Sequence, residues 1–339
     1  MTEIEKDVDL APLTTLGVGG PARFFARIRS LDDLVEAVAF SKRNGLGLRI
    51  LGGGSNTLVS DEGVNALVLK IENQGMEWLE ESDNSVLLKA AAGEEWDKVV
   101  EESVNRGLYG IENLSGIPGT AGAAPVQNIG AYGVELSDVV SEVEAYDIKE
   151  ERTVVFRSEE CDLGYRSSLF KKGSGRFVVI SVKMRLTRFG SLVCHYKDVR
   201  DRINENDPPS LAQMRDLILD IRSKKFPDSR DLGSAGSFFK NPVLPNSQFE
   251  RIKRKYPDIP SYPAEDGYAK VPLAWILDRV LNLKGKRHGA VGLFGSQPLV
   301  LVTYEGAREK DVTLLAEEVK RQVREVMDLD VEYEVTYLS

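Results

Sequence analysis

The feature that most constrains this sequence is a long run without charge, from Leu114 to Val134. Five glycines punctuate it: Gly116, Gly119, Gly122, Gly130 and Gly133. Pro118 and Pro125 are incompatible with an uninterrupted helix, so the run does not predict a membrane span. Because glycine permits close approach of the backbone to another group, we expect irregular backbone that packs tightly against something.

A second glycine-rich segment lies earlier, at Gly52-Gly53-Gly54-Ser55-Asn56. It follows the apolar Leu48–Leu51 and precedes Thr57–Val59, which predicts strand, tight loop, then strand or turn. Residues without side chains let successive N–H groups converge on an anion such as a pyrophosphate. Taken alone, this segment fits a purely structural turn equally well.

The charge-free run favours a ligand-binding role for both segments over a structural turn. An isoalloxazine ring needs an apolar, closely approaching wall with backbone donors, and such a run can provide one. Gln127 and Asn128 would add polar contacts. The two segments together predict a flavin site. The residues predicted to bind FAD are Gly52, Gly53, Gly54, Ser55, Asn56, Gly116, Ile117, Pro118, Gly119, Gly122, Ala123, Gln127, Asn128, Ile129, Gly130 and Gly133.

A third glycine motif, Gly17 to Ala22, formally matches the dinucleotide fingerprint G-x-G-x-x-A. No apolar strand precedes it, and no acidic residue follows at the spacing that a ribose contact needs. A glycine turn is the favoured interpretation.

The remaining pattern is that of an α/β protein. Ser30 and Asp33 resemble a capping box before a helix. Strands are predicted at 64–71, 86–92, 139–156 and 176–187, and helices near 210–222, 271–282 and 309–327. We expect two FAD-binding subdomains, 1–72 and 73–207, and a C-terminal domain, 208–339, after Asp207-Pro208-Pro209.

Composition excludes several other classes of function. The net charge of -9 argues against broad nucleic-acid binding. Cys161, Cys194, His195 and His288 are the only cysteines and histidines, so neither a metal site nor a Ser-His-Asp triad is expected. The acidic start MTEIEKDVDL does not resemble a secretory signal, and no apolar stretch reaches the roughly 18 to 20 residues of a membrane span. A soluble, cytoplasmic protein is expected.

Longer motifs carry a resemblance to a known family. They are L-G-G-G-S-N, the run from Gly116 to Gly133, Gly164-Tyr165-Arg166-Ser167-Ser168, and Ala235-Gly236-Ser237-Phe238-Phe239-Lys240-Asn241-Pro242. From about Pro12 to Tyr337 the chain resembles the UDP-N-acetylenolpyruvoylglucosamine reductases, of the type with a tyrosine-bearing substrate loop. It departs from their usual pattern at Thr14-Thr15-Leu16 and at Ala123-Ala124, which leaves fine flavin contacts open.

The resemblance implies a two-subdomain FAD-binding fold of the vanillyl-alcohol-oxidase-like, PCMH type, followed by a C-terminal α/β substrate domain. The last strand, 331–339, would return to the flavin. The resemblance also implies that NADPH reduces the flavin, and that flavin N5 passes hydride to the β-carbon of UDP-N-acetylglucosamine enolpyruvate.

Three catalytic residues are implied by the same resemblance. Arg166 would stabilise the enolate-like state, Ser237 would protonate the α-carbon, and Glu334 would assist. The alternation of Val331 to Tyr337 predicts a strand with Glu332 and Glu334 on one face. That alternation cannot choose between the two acids, whereas the family pattern E-x-E-V selects Glu334.

The resemblance further implies that Lys225, Asn241 and Gln297 bind the UDP phosphates and sugar, and that Tyr196 lies on a loop that closes over the nucleotide. For Tyr262 the resemblance offers a role in placing the nicotinamide or the substrate, and surface packing is the favoured alternative. No nucleic-acid or membrane partner is expected, and the sequence leaves the oligomeric state open, with a monomer favoured.

Two rival functions are consistent with a flavin site. The first is an FAD-dependent oxidase or dehydrogenase of an alcohol or hydroxy acid. The second is a nucleotide-sugar-binding regulator with a catalytically silent flavin. The motif G-S-F-F-K-N-P and the terminal E-x-E-V favour the reductase over the oxidase, and retention of Arg166, Ser237 and Glu334 argues against the regulator.

Overall fold

Short strands and helices frame the glycine-rich segments in the computed structural model, which describes residues 2–173, 175–204, 206–228 and 231–339. The strands are β1 (Glu5–Asp9), β2 (Pro21–Ile28), β3 (Leu48–Leu51), β4 (Thr57–Val59), β5 (Val64–Ile71), β6 (Met76–Glu80), β7 (Ser85–Ala91), β8 (Gly130–Ala131), β9 (Val134–Glu135), β10 (Val140–Asp147), β11 (Arg152–Arg157), β12 (Phe177–Thr187), β13 (Gly233–Ser237), β14 (Val243–Pro245), β15 (Tyr262–Pro263), β16 (Tyr268–Lys270), β17 (Arg287–His288), β18 (Val291–Leu293), β19 (Val300–Thr303) and β20 (Thr336–Leu338). The helices are α1 (Leu31–Arg43), α2 (Trp96–Asn105), α3 (Leu169–Lys172), α4 (Lys197–Arg200), α5 (Leu211–Lys225), α6 (Asn246–Lys255), α7 (Leu273–Trp275) and α8 (Glu309–Met327).

The described chain divides into two compact units. The first takes its residues from Met1–Val8, Ala22–Gly54 and Val64–Ser223, and the second from Asp9–Pro21, Ser55–Gly63 and Lys224–Ser339. The division therefore falls inside the motif Gly52 to Asn56 and near the end of α5. The three-domain division at residues 72 and 207 stays a prediction.

The first unit contains a parallel core around β5. The strand order is β1-β2-β5-β3, and β5 runs parallel to both β2 and β3. β5 is buried along most of its length, as expected for a central parallel strand covered on both faces. α1 begins as predicted, with the Ser30 side chain accepting from the Asp33 N–H at 3.1 Å.

A second sheet of the first unit is antiparallel, in the order β11-β10-β12-β7-β6. The predicted strand region 139–156 forms β10 and β11, and the region 176–187 forms β12. One face packs into a core that includes Trp96 of α2, which is 1% exposed. The Trp96 indole N–H donates to the Leu114 carbonyl at 3.1 Å, which fixes the start of the charge-free run against this core.

The second unit is built from small sheets and α8. β13, β19, β18 and β17 form one antiparallel sheet, and β4 pairs in parallel with β20 at the carboxyl end of the chain. α8 buries Val312, Ala316, Val319 and Val323 at helical spacing, as the sequence predicts. The Asp61 carboxylate accepts from the N–H of Glu309 at 2.9 Å and thereby caps this helix.

Three local expectations need comment. The continuous strand predicted through 331–337 is wrong: the chain bends at Val335, and only Thr336–Leu338 pairs as a strand. The helical region near 271–282 consists of α7 and a π-helical turn, Ile276–Val280. α6 was not predicted, because its apolar face is short: Phe249 is buried, and Ile252, three residues later, is only partly buried.

The first glycine motif forms a turn, as favoured from the sequence. Gly17 and Gly19 have φ of 67° and 117°, and β2 rather than a helix follows them. Within the described ranges, no helix combines the length and apolar character that crossing a bilayer requires.

Candidate functional site

The two glycine-rich segments meet in the first unit. A Cβ added at Gly53 would lie 2.7 Å from the Gly119 Cα, and one added at Gly52 would lie 2.9 Å from the Thr120 Oγ1. These distances are shorter than any side chain tolerates. The sequence therefore needs glycine at this contact, and the predicted pairing of the two segments is realised in space.

Polar groups at this contact are left for a ligand. Gly54 is buried, and in the described part of the chain neither Gly53 nor Gly54 donates its N–H to a backbone carbonyl. The Thr120 hydroxyl oxygen is buried and has no hydrogen-bond partner among the described residues. Since buried polar groups are normally satisfied, the cradle fits the anionic and carbonyl-bearing parts of a dinucleotide flavin.

An ion pair holds the start of the charge-free run. The Asp97 carboxylate accepts from the Gly116 N–H at 2.5 Å and from Arg215 at 2.7 and 2.8 Å. Burial opposes ionisation of Asp97, but the Arg215 guanidinium and the Gly116 N–H outweigh it and lower the pKa of this carboxyl. The Gly116 carbonyl accepts from Arg222 Nε at 3.0 Å, so both sides of this glycine are fixed.

Asn128 fixes the end of the run. Its side-chain oxygen accepts from the Ser137 N–H at 3.0 Å, and its amide donates to the Glu135 carboxylate at 2.9 Å. Asn128 is 1% exposed and has a φ of 45°. We therefore expect this side chain to hold the loop, and the neighbouring Gln127 to remain the candidate for a side-chain contact with the flavin.

Arg166 lies against the same run. It occupies a tight turn between Gly164 and Ser167, with a φ of 53°. Its guanidinium donates to the Gly130 carbonyl at 3.0 Å and to the Asn128 carbonyl at 3.4 Å. The predicted carboxylate-binding arginine is thus anchored directly to the predicted flavin wall.

Tyr196 is joined to this wall through its neighbours. Its ring meets the Tyr132 ring edge to face, with centroids 5.6 Å apart. Tyr132 hydrogen-bonds to Arg222, the residue that also binds the Gly116 carbonyl. Burial raises the pKa of Tyr132 and lowers that of Arg222, which keeps the phenol neutral beside the guanidinium.

The other two predicted catalytic residues lie in the second unit. Ser237 ends β13 and is paired with Val300 of β19. The next carbonyl, that of Phe238, accepts from the Glu334 N–H at 2.9 Å. Ser237 and Glu334 therefore lie on adjacent backbone segments.

The structure distinguishes the two terminal acids that alternation could not. Glu334 is 8% exposed, whereas the Glu332 side chain is 74% exposed and pairs with Lys240 at 2.8 Å. The Asn56 side chain donates to the Glu334 carbonyl at 3.1 Å. The last residue of the glycine motif thus holds the backbone of the acid that the family pattern selects.

The predicted UDP-binding residues also belong to the second unit. The Asn241 side chain accepts from the Leu273 N–H at 2.9 Å, and Gln297 makes a long contact of 3.5 Å to the Leu299 N–H. Lys225 ends α5. Tyr262 is 37% exposed, in keeping with a residue at the surface.

Sequence reasoning missed four residues at or beside the glycine-rich segments of the first unit: Asp97, Arg215, Arg222 and Thr120. The first three act through contacts between residues distant in sequence, which no local pattern reveals. Thr120 lies inside the charge-free run, and the signal that the sequence offered was a hydroxyl residue next to Gly119.

Comparison with known proteins gives a consistent result. Residues 22–156 match the FAD binding domain family, and residues 227–338 match the UDP-N-acetylenolpyruvoylglucosamine reductase C-terminal domain. The chain is 42% identical over 334 residues to the UDP-N-acetylenolpyruvoylglucosamine reductase of Pseudomonas aeruginosa, which covers 98% of both chains. The enzyme of the same name from Bdellovibrio bacteriovorus is 39% identical over 337 residues, again with 98% of both chains covered.

Among solved structures, the chain is similar to the UDP-N-acetylenolpyruvylglucosamine reductase of Thermus caldophilus. The TM-score is 0.70 at 26% sequence identity, and all of both chains is covered. Together with the two domain matches, this similarity confirms the fold class predicted from the sequence, an FAD-binding fold followed by a C-terminal substrate domain.

We predict that Gly53→Ala yields folded protein with little bound FAD, because the added methyl group would collide with the Gly119 backbone and separate the two segments. The ratio of flavin to protein absorbance in purified protein measures this loss. Gly47→Ala is the matched control, since its Cβ would meet nothing closer than 3.6 Å. Full FAD occupancy in Gly53→Ala would contradict the assignment.

Proposed function

The chain belongs to the UDP-N-acetylenolpyruvoylglucosamine reductase family, and we propose that it reduces UDP-N-acetylglucosamine enolpyruvate to UDP-N-acetylmuramate with NADPH as the electron donor. The observation that carries this proposal is the meeting of the two glycine-rich segments, which leaves amide donors and a buried hydroxyl for FAD. Bound FAD would supply the two-electron chemistry that links the two substrates.

The first unit is proposed to hold the cofactor. The amides of Gly53 and Gly54 would bind its pyrophosphate, and the run from Gly116 to Gly133 would form the wall for its ring. Arg222 and Asp97 would keep that wall in place through Gly116. This arrangement uses rigid backbone, so the cofactor would be bound without much rearrangement of the protein.

Arg166 is proposed to stabilise the negative charge that develops on the substrate. Addition of hydride at the β-carbon of an enolpyruvyl group places charge at the α-carbon and in the carboxylate. A guanidinium can bind a carboxylate with two parallel hydrogen bonds. The anchoring of Arg166 to the Gly130 carbonyl supports this role, because it holds the cation beside the proposed ring wall.

Ser237 is proposed to deliver a proton to the α-carbon. A serine hydroxyl is a weak acid, so it can act only on a strongly basic carbanion and with support from neighbouring groups. Glu334 is suited to give that support, because it is buried and its backbone is bonded to the residue after Ser237. Glu332, exposed and paired with Lys240, is not.

Lys225, Asn241 and Gln297 are proposed to bind the UDP phosphates and sugar, and Tyr196 to cover the nucleotide. Closure of the Tyr196 loop would exclude water from the reacting groups. The proposed substrates are a nucleotide sugar and NADPH, which are drawn from cytoplasmic pools, so we place the reaction in the cytoplasm. A monomer remains the expected state.

Arg166→Ala is predicted to leave reduction of the bound flavin by NADPH intact and to slow its reoxidation by the enolpyruvyl substrate about a hundredfold or more. Stopped-flow absorbance separates the two half-reactions. Arg152→Ala, at an exposed position of β11, is the control. Equal slowing of both halves would show that Arg166 serves the flavin wall instead of the substrate.

Ser237→Ala is predicted to retain FAD and its reduction by NADPH, but to lose turnover beyond the roughly hundred- to ten-thousandfold typical of acid-base assistance. Ser237→Cys should recover part of the loss, since a thiol is more acidic but differently placed. Ser234→Ala on the same strand is the control. Turnover of Ser237→Ala within about tenfold of the unaltered enzyme would mean that the proton has another source.

Glu334→Gln is predicted to lower turnover by about a hundredfold while Glu332→Gln stays near the unaltered enzyme. The difference follows from burial, because the exposed acid can be replaced without disturbing the proposed site. Steady-state rates of the two variants, compared at equal FAD content, provide the measurement. Equal losses, or a larger loss in Glu332→Gln, would contradict the choice of Glu334.

A further inference from the structure

A lysine lies behind the first glycine-rich segment. Lys70 is on β5, next to Leu51 of the parallel neighbour β3, and its ammonium group donates to the Gly52 carbonyl. The Lys70 side chain thus reaches from the central strand β5 to the point where the neighbouring strand β3 ends and the glycine-rich loop begins. Ligands of open α/β sheets bind at this carboxyl edge of parallel strands.

The charge of Lys70 is not balanced by a close carboxylate. Among the residues described, no acid lies within ion-pair distance of its ammonium group, and the Gly52 carbonyl is its one hydrogen-bond acceptor. The nearby Glu72 is bonded to Arg27 at 2.6 Å. Lys70 is half-buried, and burial lowers its pKa. A partly buried cation without a carboxylate partner suggests that a bound ligand supplies the anion.

The bond to Gly52 also sets the direction of the next amide. In a trans peptide the carbonyl and the N–H that follows it point in opposite directions. Holding the Gly52 carbonyl toward Lys70 therefore turns the Gly53 N–H away from the Lys70 ammonium group. Gly53 is the residue that contacts Gly119, so this N–H belongs to the cradle between the two segments.

We propose that Lys70 is a positioning residue for FAD, which orients the Gly52-Gly53 peptide toward the pyrophosphate and supplies positive charge behind it. This inference rests on the proposed place of the pyrophosphate at Gly53 and Gly54. It adds that a side chain, and not the glycine backbone alone, determines how tightly the diphosphate is held.

The test is the dissociation of FAD from the holoenzyme on dilution, followed by the fluorescence of the released flavin. Lys70→Met keeps the length of the side chain and removes its charge. We expect its dissociation constant for FAD to rise about tenfold or more at low salt, with a smaller difference at high salt because salt screens the lost attraction. Lys70→Arg, which keeps the charge, should stay within about threefold of the unaltered enzyme.

The matched control is Lys183→Met. Lys183 lies on β12 of the antiparallel sheet, and its side chain is 27% exposed and pairs with Glu142 at 2.5 Å. Lys183→Met therefore removes a partly buried lysine whose partner is a carboxylate and not a carbonyl of the glycine-rich segments. Similar weakening by Lys183→Met, failure of Lys70→Arg to restore binding, failure of Lys70→Met to fold, or FAD affinity of Lys70→Met within about twofold of the unaltered enzyme would each overturn the proposal.

The variant Gly53→Ala distinguishes failure of the proposed role of Lys70 from failure of the proposed pyrophosphate site at Gly53 and Gly54. Loss of FAD in Gly53→Ala together with normal binding in Lys70→Met would remove the role of Lys70 and leave the pyrophosphate where we place it. Normal binding in Gly53→Ala would remove the pyrophosphate site itself.

Discussion

The contact between the backbones of Gly53 and Gly119 is the constraint on which the first unit depends. Any side chain at Gly53 would meet the Gly119 Cα at 2.7 Å, so the two segments can approach only because residue 53 is glycine. Their approach leaves amides and the Thr120 hydroxyl without protein partners among the described residues. A fold that keeps polar groups unpaired in this way is adapted to a bound cofactor.

Side-chain hydrogen bonds hold the backbone of the glycine-rich segments around this contact. Arginine and lysine side chains bind the carbonyls of the glycine-rich segments: Lys70 binds Gly52, Arg222 binds Gly116, and Arg166 binds Gly130. A loop of glycines loses much conformational entropy when it becomes ordered. Charged hydrogen bonds from a strand, a helix and a turn offset that cost and hold the loops in one geometry. The wall proposed for the flavin is therefore maintained from outside the loops.

Much of this could be predicted from the sequence, but the reasons differ between parts. The helix after Ser30 and the strand at 64–71 follow from local capping and hydrophobic patterns. The glycine-rich segments could be predicted as tight, irregular backbone from their composition. The continuous strand through Glu332 and Glu334 was predicted wrongly, because the terminal segment changes partners, from Phe238 to β4, and bends at Val335. Lys70 and Arg222 were missed, since their roles depend on partners 18 and 106 positions away.

The central claim is that this chain binds FAD and passes electrons from NADPH to an enolpyruvyl UDP-sugar. The most direct measurement is an anaerobic titration of the purified protein followed by its visible spectrum. We predict flavin bands that are bleached by NADPH and restored by one equivalent of UDP-N-acetylglucosamine enolpyruvate, with UDP-N-acetylmuramate as the product. A colourless protein that takes up no FAD, or a reduced flavin that the enolpyruvyl substrate leaves bleached, would contradict the account.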